Sequence, residues 1–152
     1  MSVEERLAEL GITLPAPGKA LANYVPFVTS GRLVSISGQI PLTPEGPVTG
    51  KVGADLDLEA AVAAARLCAI GIIAQAKAAG GGDLERVARI VRLGGFVNCV
   101  DGYTDQPKVI NGASDLMVAV FGERGRHSRS AVGVNALPLN VPVEIDALVE
   151  LR

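Results

Sequence analysis

The sequence predicts an α+β fold in which one mixed β-sheet carries two main helices on one face, with a short extra helix at the N-terminus. Three observations predict it. From Leu58 to Ala76 apolar side chains recur at three- and four-residue steps, the period of a helix with one buried face. The segments 24–37 and 87–100 are rich in β-branched residues, which suit a pleated, half-buried surface. From Val143 to Leu151 apolar residues alternate with Glu144, Asp146 and Glu150, as in a strand with one packed face.

Each element has its own signal. Ser2 followed by Glu5 is a capping box, so a helix runs from Ser2 to Leu10 and Gly11 ends it. Pro15, Pro17 and Gly18 make 14–22 an irregular lead-in. Tyr24–Thr29 and Arg32–Ser37 read as a hairpin turning at Ser30-Gly31. The density of Pro41, Pro44, Gly46 and Pro47 predicts a loop. Asp55 or Asp57 caps the first main helix, whose apolar face is Leu58, Val62, Ala65, Ala69, Ile72, Ile73 and Ala76; Arg66, Gln75 and Lys77 lie off that face. Gly80 to Gly82 terminate it. Val87–Val100 is a strand whose Gly94-Gly95 marks a bulge or a close backbone approach. Pro107 opens the second main helix, running to Phe121, with Val109, Ile110, Leu116, Met117, Val120 and Phe121 as its buried positions. Two strands then flank Leu137-Pro138.

At 152 residues there is room for one domain, 1–152, with one core. The hydrophobic fraction of 49% suffices to fill that core, and an aromatic fraction of 3% means it is built from Ala, Val, Ile and Leu. Two helices on one face leave the other face of the sheet uncovered, so residues such as Leu148 predict oligomerisation through it. A net charge of −2 gives no general attraction for phosphate backbones. Cys68 and Cys99 stand in apolar stretches without metal-ligand or disulfide spacing and read as buried hydrophobes. The acidic N-terminus lacks the pattern of a secretory signal, and Arg66, Gln75 and Lys77 interrupt the longest apolar stretch; a cytoplasmic location is expected.

Chemistry-bearing residues concentrate near position 127. Arg124, Arg126, His127 and Arg129 form the densest cationic cluster. Arg124 and Arg126 suit the solvated end of a helix, where they complement its dipole. Arg129 instead enters a strand, which holds its guanidinium rigidly enough for bidentate capture of a carboxylate. His127 is the sole histidine, so no multi-histidine metal site can form, and neighbouring Ser128 and Ser130 are no evidence of a Ser-His pair. Glu144, on the polar face of its strand, reads alone as a solvated carboxylate. Gly80 to Gly82 follow a helix and so do not form a phosphate-binding loop.

Ser128-Arg129-Ser130-Ala131-Val132-Gly133-Val134, continued by Leu137-Pro138 and Val143-Glu144-Ile145, resembles the C-terminal signature of the YjgF-type family, also called RidA and labelled endoribonuclease L-PSP. Tyr24-Val25 with Ser37-Gly38-Gln39-Ile40-Pro41 is similar to that family's N-terminal marker. The resemblance spans nearly the whole chain. It implies a chorismate-mutase-like fold, a homotrimer with clefts between subunits, and hydrolysis of reactive enamines and imines, such as 2-aminoacrylate and its imine tautomer, to 2-oxo acids and ammonia. It implies no metal and no organic cofactor.

By the same resemblance Arg129 grips the substrate carboxylate and the backbone N–H of Ala131 adds a second donor. Glu144 and Tyr24 position the attacking water, Ser37 and Gly38 belong to the cleft loop, and Asn111 joins from the second main helix. The chain departs from the family pattern at Ala131, where many relatives have Cys, at Ala22-Asn23 before Tyr24, and at Gly112-Ala113 after Asn111; with the N-terminal helix and the 102–107 loop these mark a longer subfamily. Three readings follow: an imine deaminase, a module that binds a small carboxylate such as a 2-oxo acid without turnover, and a ribonuclease. An acidic chain with one histidine suits the last poorly.

Overall fold

The computed structural model describes residues 1–19 and 22–152, so positions 20 and 21 of the predicted lead-in lie outside the described residues. Helix α1 (Val3–Glu9) begins with the predicted capping box: the Ser2 hydroxyl accepts from Glu5 N at 3.1 Å and Ser2 N donates to the Glu5 carboxylate at 2.7 Å. The hairpin is β1 (Phe27–Ser30) and β2 (Leu33–Gln39), with Gly31-Arg32 as its two-residue loop. The turn thus falls one residue later than predicted because Ser30 still pairs with Leu33 and Gly31 takes the positive φ of 61°. Tyr24 to Pro26 stay out of β1; Pro26 has no N–H to give a ladder.

Across the predicted loop, β3 (Leu42–Thr43) and β4 (Gly46–Pro47) form a minimal ribbon closed by Thr43 Oγ1 donating to Gly46 O at 2.7 Å. Asp57 caps α2 (Leu58–Ala79), accepting from Ala60 N at 2.9 Å, while Asp55 accepts from Lys51 N at 2.8 Å in the preceding turn. Strand β5 (Val87–Asn98) runs unbroken through Gly94-Gly95; its irregularities fall between Val87 and Arg92. The two glycines mark a close approach instead of a bulge. A Cβ on Gly95 would come 2.6 Å from Ile110 Cδ1 of α3 (Gln106–Phe121). The chain ends with β6 (Ser128–Val134) and β7 (Val143–Leu151).

The sheet order is β1-β2-β7-β5-β6, antiparallel except for the β5–β6 pair. Helices α2 and α3 pack on one face. Gly112 lets α3 settle on α2, since a Cβ there would collide with the Val62 carbonyl. The core is Ala, Val, Ile and Leu with both cysteines buried and free, and every buried position predicted on α3 is buried. Helix α2 is long and apolar enough for a membrane span by composition, and its buried face lies in this core. One expectation fails on α2: Gln75 is not on a solvent face but 2% exposed. The sheet's other face carries Glu144, Asp146, Leu148 and Glu150 of β7, and Val28, Leu33 and Val132 are exposed apolar side chains on its strands.

Candidate functional site

The cleft residues fall into two groups on one chain. Tyr24, Ser37, Gly38 and Glu144 line a single cavity of ≈ 560 Å³. Its geometry starts from an irregular register. Ile36 pairs with Ala147 and Gln39 with Ile145, so β2 holds one extra residue against β7, and the bulge is Ser37-Gly38. Glu144 fits against this bulge because Gly38 has no side chain; a Cβ there would lie 2.7 Å from Glu144 Oε1. Ser37 N donates to Pro26 O at 2.9 Å and Ser37 Oγ to Val25 O at 2.8 Å, which ties the Tyr24 segment to β2. Tyr24 itself is exposed at the cavity mouth.

Half-burial, with the Asp146 carboxylate second, pushes the Glu144 carboxyl above the usual carboxylate range. A carboxyl shifted this way is a stronger base once ionised and keeps its proton to a higher pH. The Cys68 thiol beneath it is also raised, by burial first and Glu144 second, which makes it an inert core group.

The far wall of this cavity is held by a network that sequence reading did not find. Lys51 Nζ donates to Asn98 Oδ1 and to Asn135 O, both at 2.6 Å. Asn98, fully buried, donates to Asn140 Oδ1 and Val141 O, each at 3.2 Å. These bonds fix the turn in which Leu139 and Asn140 adopt φ of 58° and 56°, and Pro138 and Leu139 wall the cavity.

Arg129 belongs to the second group. It sits on edge strand β6 opposite Leu93 and turns toward α3, where NH1 donates to Ser114 Oγ at 3.0 Å and NH2 to Pro107 O at 3.2 Å. Ser114 and His127 complete a chain: His127 Nδ1 donates to Gly125 O at 2.6 Å, so Nε2 accepts from the Ser114 hydroxyl at 2.9 Å. The sole histidine therefore pairs with a serine 13 residues away and not with Ser128 or Ser130. Asn111 stands one turn before Ser114 on α3 and shares with it, His127 and Arg129 an open concavity of ≈ 300 Å³. That spacing from Asn111 is the signal that could have identified Ser114. Ala131 follows on β6, half-buried and packed against the core.

Arg124 is committed elsewhere, while Arg126 lines the same concavity as Arg129. Arg124 donates to Val87 O at 2.7 Å and pairs with Glu85, so it is a structural tie and not a solvated helix end; Arg126 pairs with Glu123. Among the described residues no group of three His, Cys, Asp or Glu side chains is placed to hold a metal.

Within one chain Arg129 and Glu144 do not meet. Glu144 is level with Phe96 of β5, which is level with Val132 of β6, so two strand spacings, about 10 Å, separate β7 from β6. The two side chains also leave opposite faces of the sheet. Arg129 on the edge strand and Glu144 on the central strand therefore stand apart within one chain.

Residues 4–151 match the YjgF/chorismate mutase-like family, whose description adds the label endoribonuclease. Protein TCP17 of Trypanosoma cruzi is 50% identical over 152 residues, covering 99% of this chain and 94% of that protein. The Escherichia coli protein named reactive intermediate deaminase TdcF is 29% identical, covering 90% and 92%. The crystal structure of Atu1372 from Agrobacterium tumefaciens, a protein of unknown function, superposes with a TM-score of 0.93 at 52% identity, covering 99% and 92%. For the E. coli YjgF gene product the TM-score is 0.62 at 30% identity, covering 92% and 96%.

Proposed function

The chain belongs to the YjgF/RidA family, and we propose that it hydrolyses reactive 2-imino acids, the tautomers of enamines such as 2-aminoacrylate, to 2-oxo acids and ammonia. The observation that carries this reading is the Glu144 carboxyl, half-buried and raised above its ordinary range, facing the Ser37-Gly38 bulge in the cavity that Tyr24 borders. The name of TdcF supports the reaction class.

The imine carbon is already electrophilic, so the protein needs to hold the acid, place a water and move protons. Arg129 grips the substrate carboxylate through its guanidinium, and the backbone N–H of Ala131 assists. Glu144 takes a proton as the water oxygen bonds to the carbon of the N-protonated imine, giving a carbinolamine. It passes that proton to nitrogen and takes up the hydroxyl proton as the C–N bond breaks, leaving ammonia and the 2-oxo acid. Tyr24 orients the water. No metal is drawn on.

Because Arg129 and Glu144 leave opposite faces of the sheet and do not meet within one chain, the working cleft joins Arg129, Ala131 and Asn111 of one copy to Tyr24, Ser37, Gly38 and Glu144 of the next in a closed trimer. The apolar residues Val28, Leu33 and Val132 on the open face of the sheet supply the contact. A ribonuclease reading finds no basic track: net charge is −2, and Arg124 and Arg126 are tied to Glu85 and Glu123.

The test is ammonia release from 2-aminoacrylate generated in situ by a pyridoxal-phosphate dehydratase. Addition of the protein accelerates 2-oxo acid formation, and Arg129→Ala abolishes the acceleration. Unchanged release with Arg129→Ala contradicts the proposal, and tight 2-oxo acid binding without acceleration assigns the chain to carboxylate sensing.

A further inference from the structure

We propose that the cavity beside Glu144 is a side-chain subsite, with Gln75 as its reader, that selects 2-imino and 2-oxo acids whose apolar side chain ends in one N–H or O–H donor. This rests on the reading that Glu144 and Arg129 serve one acid-binding cleft. It adds which acids the cleft takes.

The first observation is size and lining. The cavity of ≈ 560 Å³ lies within the roughly 300–1,000 Å³ usual for small-molecule sites and far exceeds what the methyl group of a three-carbon imino acid needs. Its walls are Pro26, Ile40, Leu42, Pro47, Pro138 and Leu139, a surface suited to a flat or long apolar group.

The second observation is independent of the first. Gln75 borders the same cavity from α2, is 2% exposed, and has a side-chain oxygen with no hydrogen-bond partner among the described residues. Its amide cannot turn over to relieve this, because Nε2 donates to Gly18 O at 3.1 Å; the reversed amide would set oxygen against oxygen. Nor does a neighbour help. Gln39 Nε2 is engaged with Ser37 O at 2.9 Å, and Lys19, which also borders the cavity, makes no bond to Gln75.

A buried acceptor with a fixed direction, in a chamber lined mostly by apolar side chains, favours an occupant that delivers one donor to it. With the reacting carbon beside Glu144, Gln75 receives the remote end of the side chain. A phenolic side chain meets both demands, an apolar ring and a terminal O–H.

The experiment is a calorimetric titration with three stable acids: pyruvate, phenylpyruvate and 4-hydroxyphenylpyruvate. The wild-type protein binds 4-hydroxyphenylpyruvate about tenfold or more tightly than phenylpyruvate, the gain set by the hydroxyl reaching the unpaired oxygen. Gln75→Leu, similar in bulk, erases that difference and retains phenylpyruvate; Gln75→Met does the same should the leucine variant misfold. Leu42→Ala, at a residue 56% exposed and so no threat to folding, weakens both aromatic acids and spares pyruvate. Equal wild-type affinity for the two aromatic acids, discrimination that survives loss of Gln75, or failure to bind either aromatic acid overturns the proposal. Because these acids are not turned over, discrimination without imine hydrolysis removes the deaminase reading and leaves the subsite standing.

Discussion

At position 38 the missing side chain is what lets Glu144 stand where it does. Gly38→Ala puts a carbon 2.7 Å from Glu144 Oε1, and the flexible carboxylate is the part that yields. The expected result is a near-unchanged melting temperature with kcat/KM for imine hydrolysis down by about tenfold or more, read by ammonia release. Glu144 itself predicts a pH effect. Its carboxyl is raised in the fold, so the folded protein holds that proton more tightly than the unfolded chain, and the stabilisation, full below the ordinary value of 4.5, is lost as pH rises through the folded value. Glu144→Gln therefore melts at a higher temperature than the wild type at pH 8 and at the same temperature at pH 4. Ser114 holds Arg129 by one hydrogen bond, so Ser114→Ala raises KM about 3- to 10-fold with a smaller change in kcat.

Residue by residue, Arg129, Ala131, Tyr24, Ser37, Gly38 and Glu144 were legible as candidates because each stands in a stretch that resembles a family motif, and Asn111 through its place in the second main helix. Gln75 was not. A glutamine flanked by Ala74 and Ala76 on an amphipathic helix reads as solvated, and it is buried here because Gly18, 57 residues away, crosses it. The Lys51–Asn98 network was hidden for the same reason: its members are 47 residues apart and carry no shared pattern.

Among the elements, helix starts were legible because capping is local chemistry. Ser2 with Glu5, and Asp57 before Leu58, each satisfy orphan N–H groups within one turn. Asp57→Ala removes the bond to Ala60 N and is expected to destabilise the protein by about 1 kcal/mol in urea denaturation. Irregularities of the sheet were less legible. Gly94-Gly95 allowed two explanations from sequence, and the choice depends on Ile110, which reaches β5 from a helix 15 residues later. Gly95→Ala presses α3 off β5 and is expected to lower stability by about 1–3 kcal/mol. The functional bulge at Ser37-Gly38 depends on pairing with β7, which lies more than a hundred residues along the chain.

The whole molecule presents a partly open sheet face with exposed apolar residues, and it sets the proposed site residues Arg129 and Glu144 on different strands and opposite sheet faces. The open face follows from placing two helices on one side of five strands, as the periodicities of the sequence predict. The division of the set was not legible, since residue order does not say which face of which strand a side chain leaves. A charge on the open face tests the proposed assembly: if the chain trimerises through this face, Val132→Glu is expected to sediment as a monomer in analytical ultracentrifugation and to lose imine hydrolysis with it. The most direct measurement mixes two inactive proteins, Arg129→Ala and Glu144→Ala, under conditions that exchange subunits. With clefts shared between neighbours, one cleft in four receives an intact Arg129 from one copy and an intact Glu144 from the next, so ammonia release recovers to about a quarter of the wild-type rate. Activity that stays at the level of the separate variants after exchange contradicts a site built across the interface.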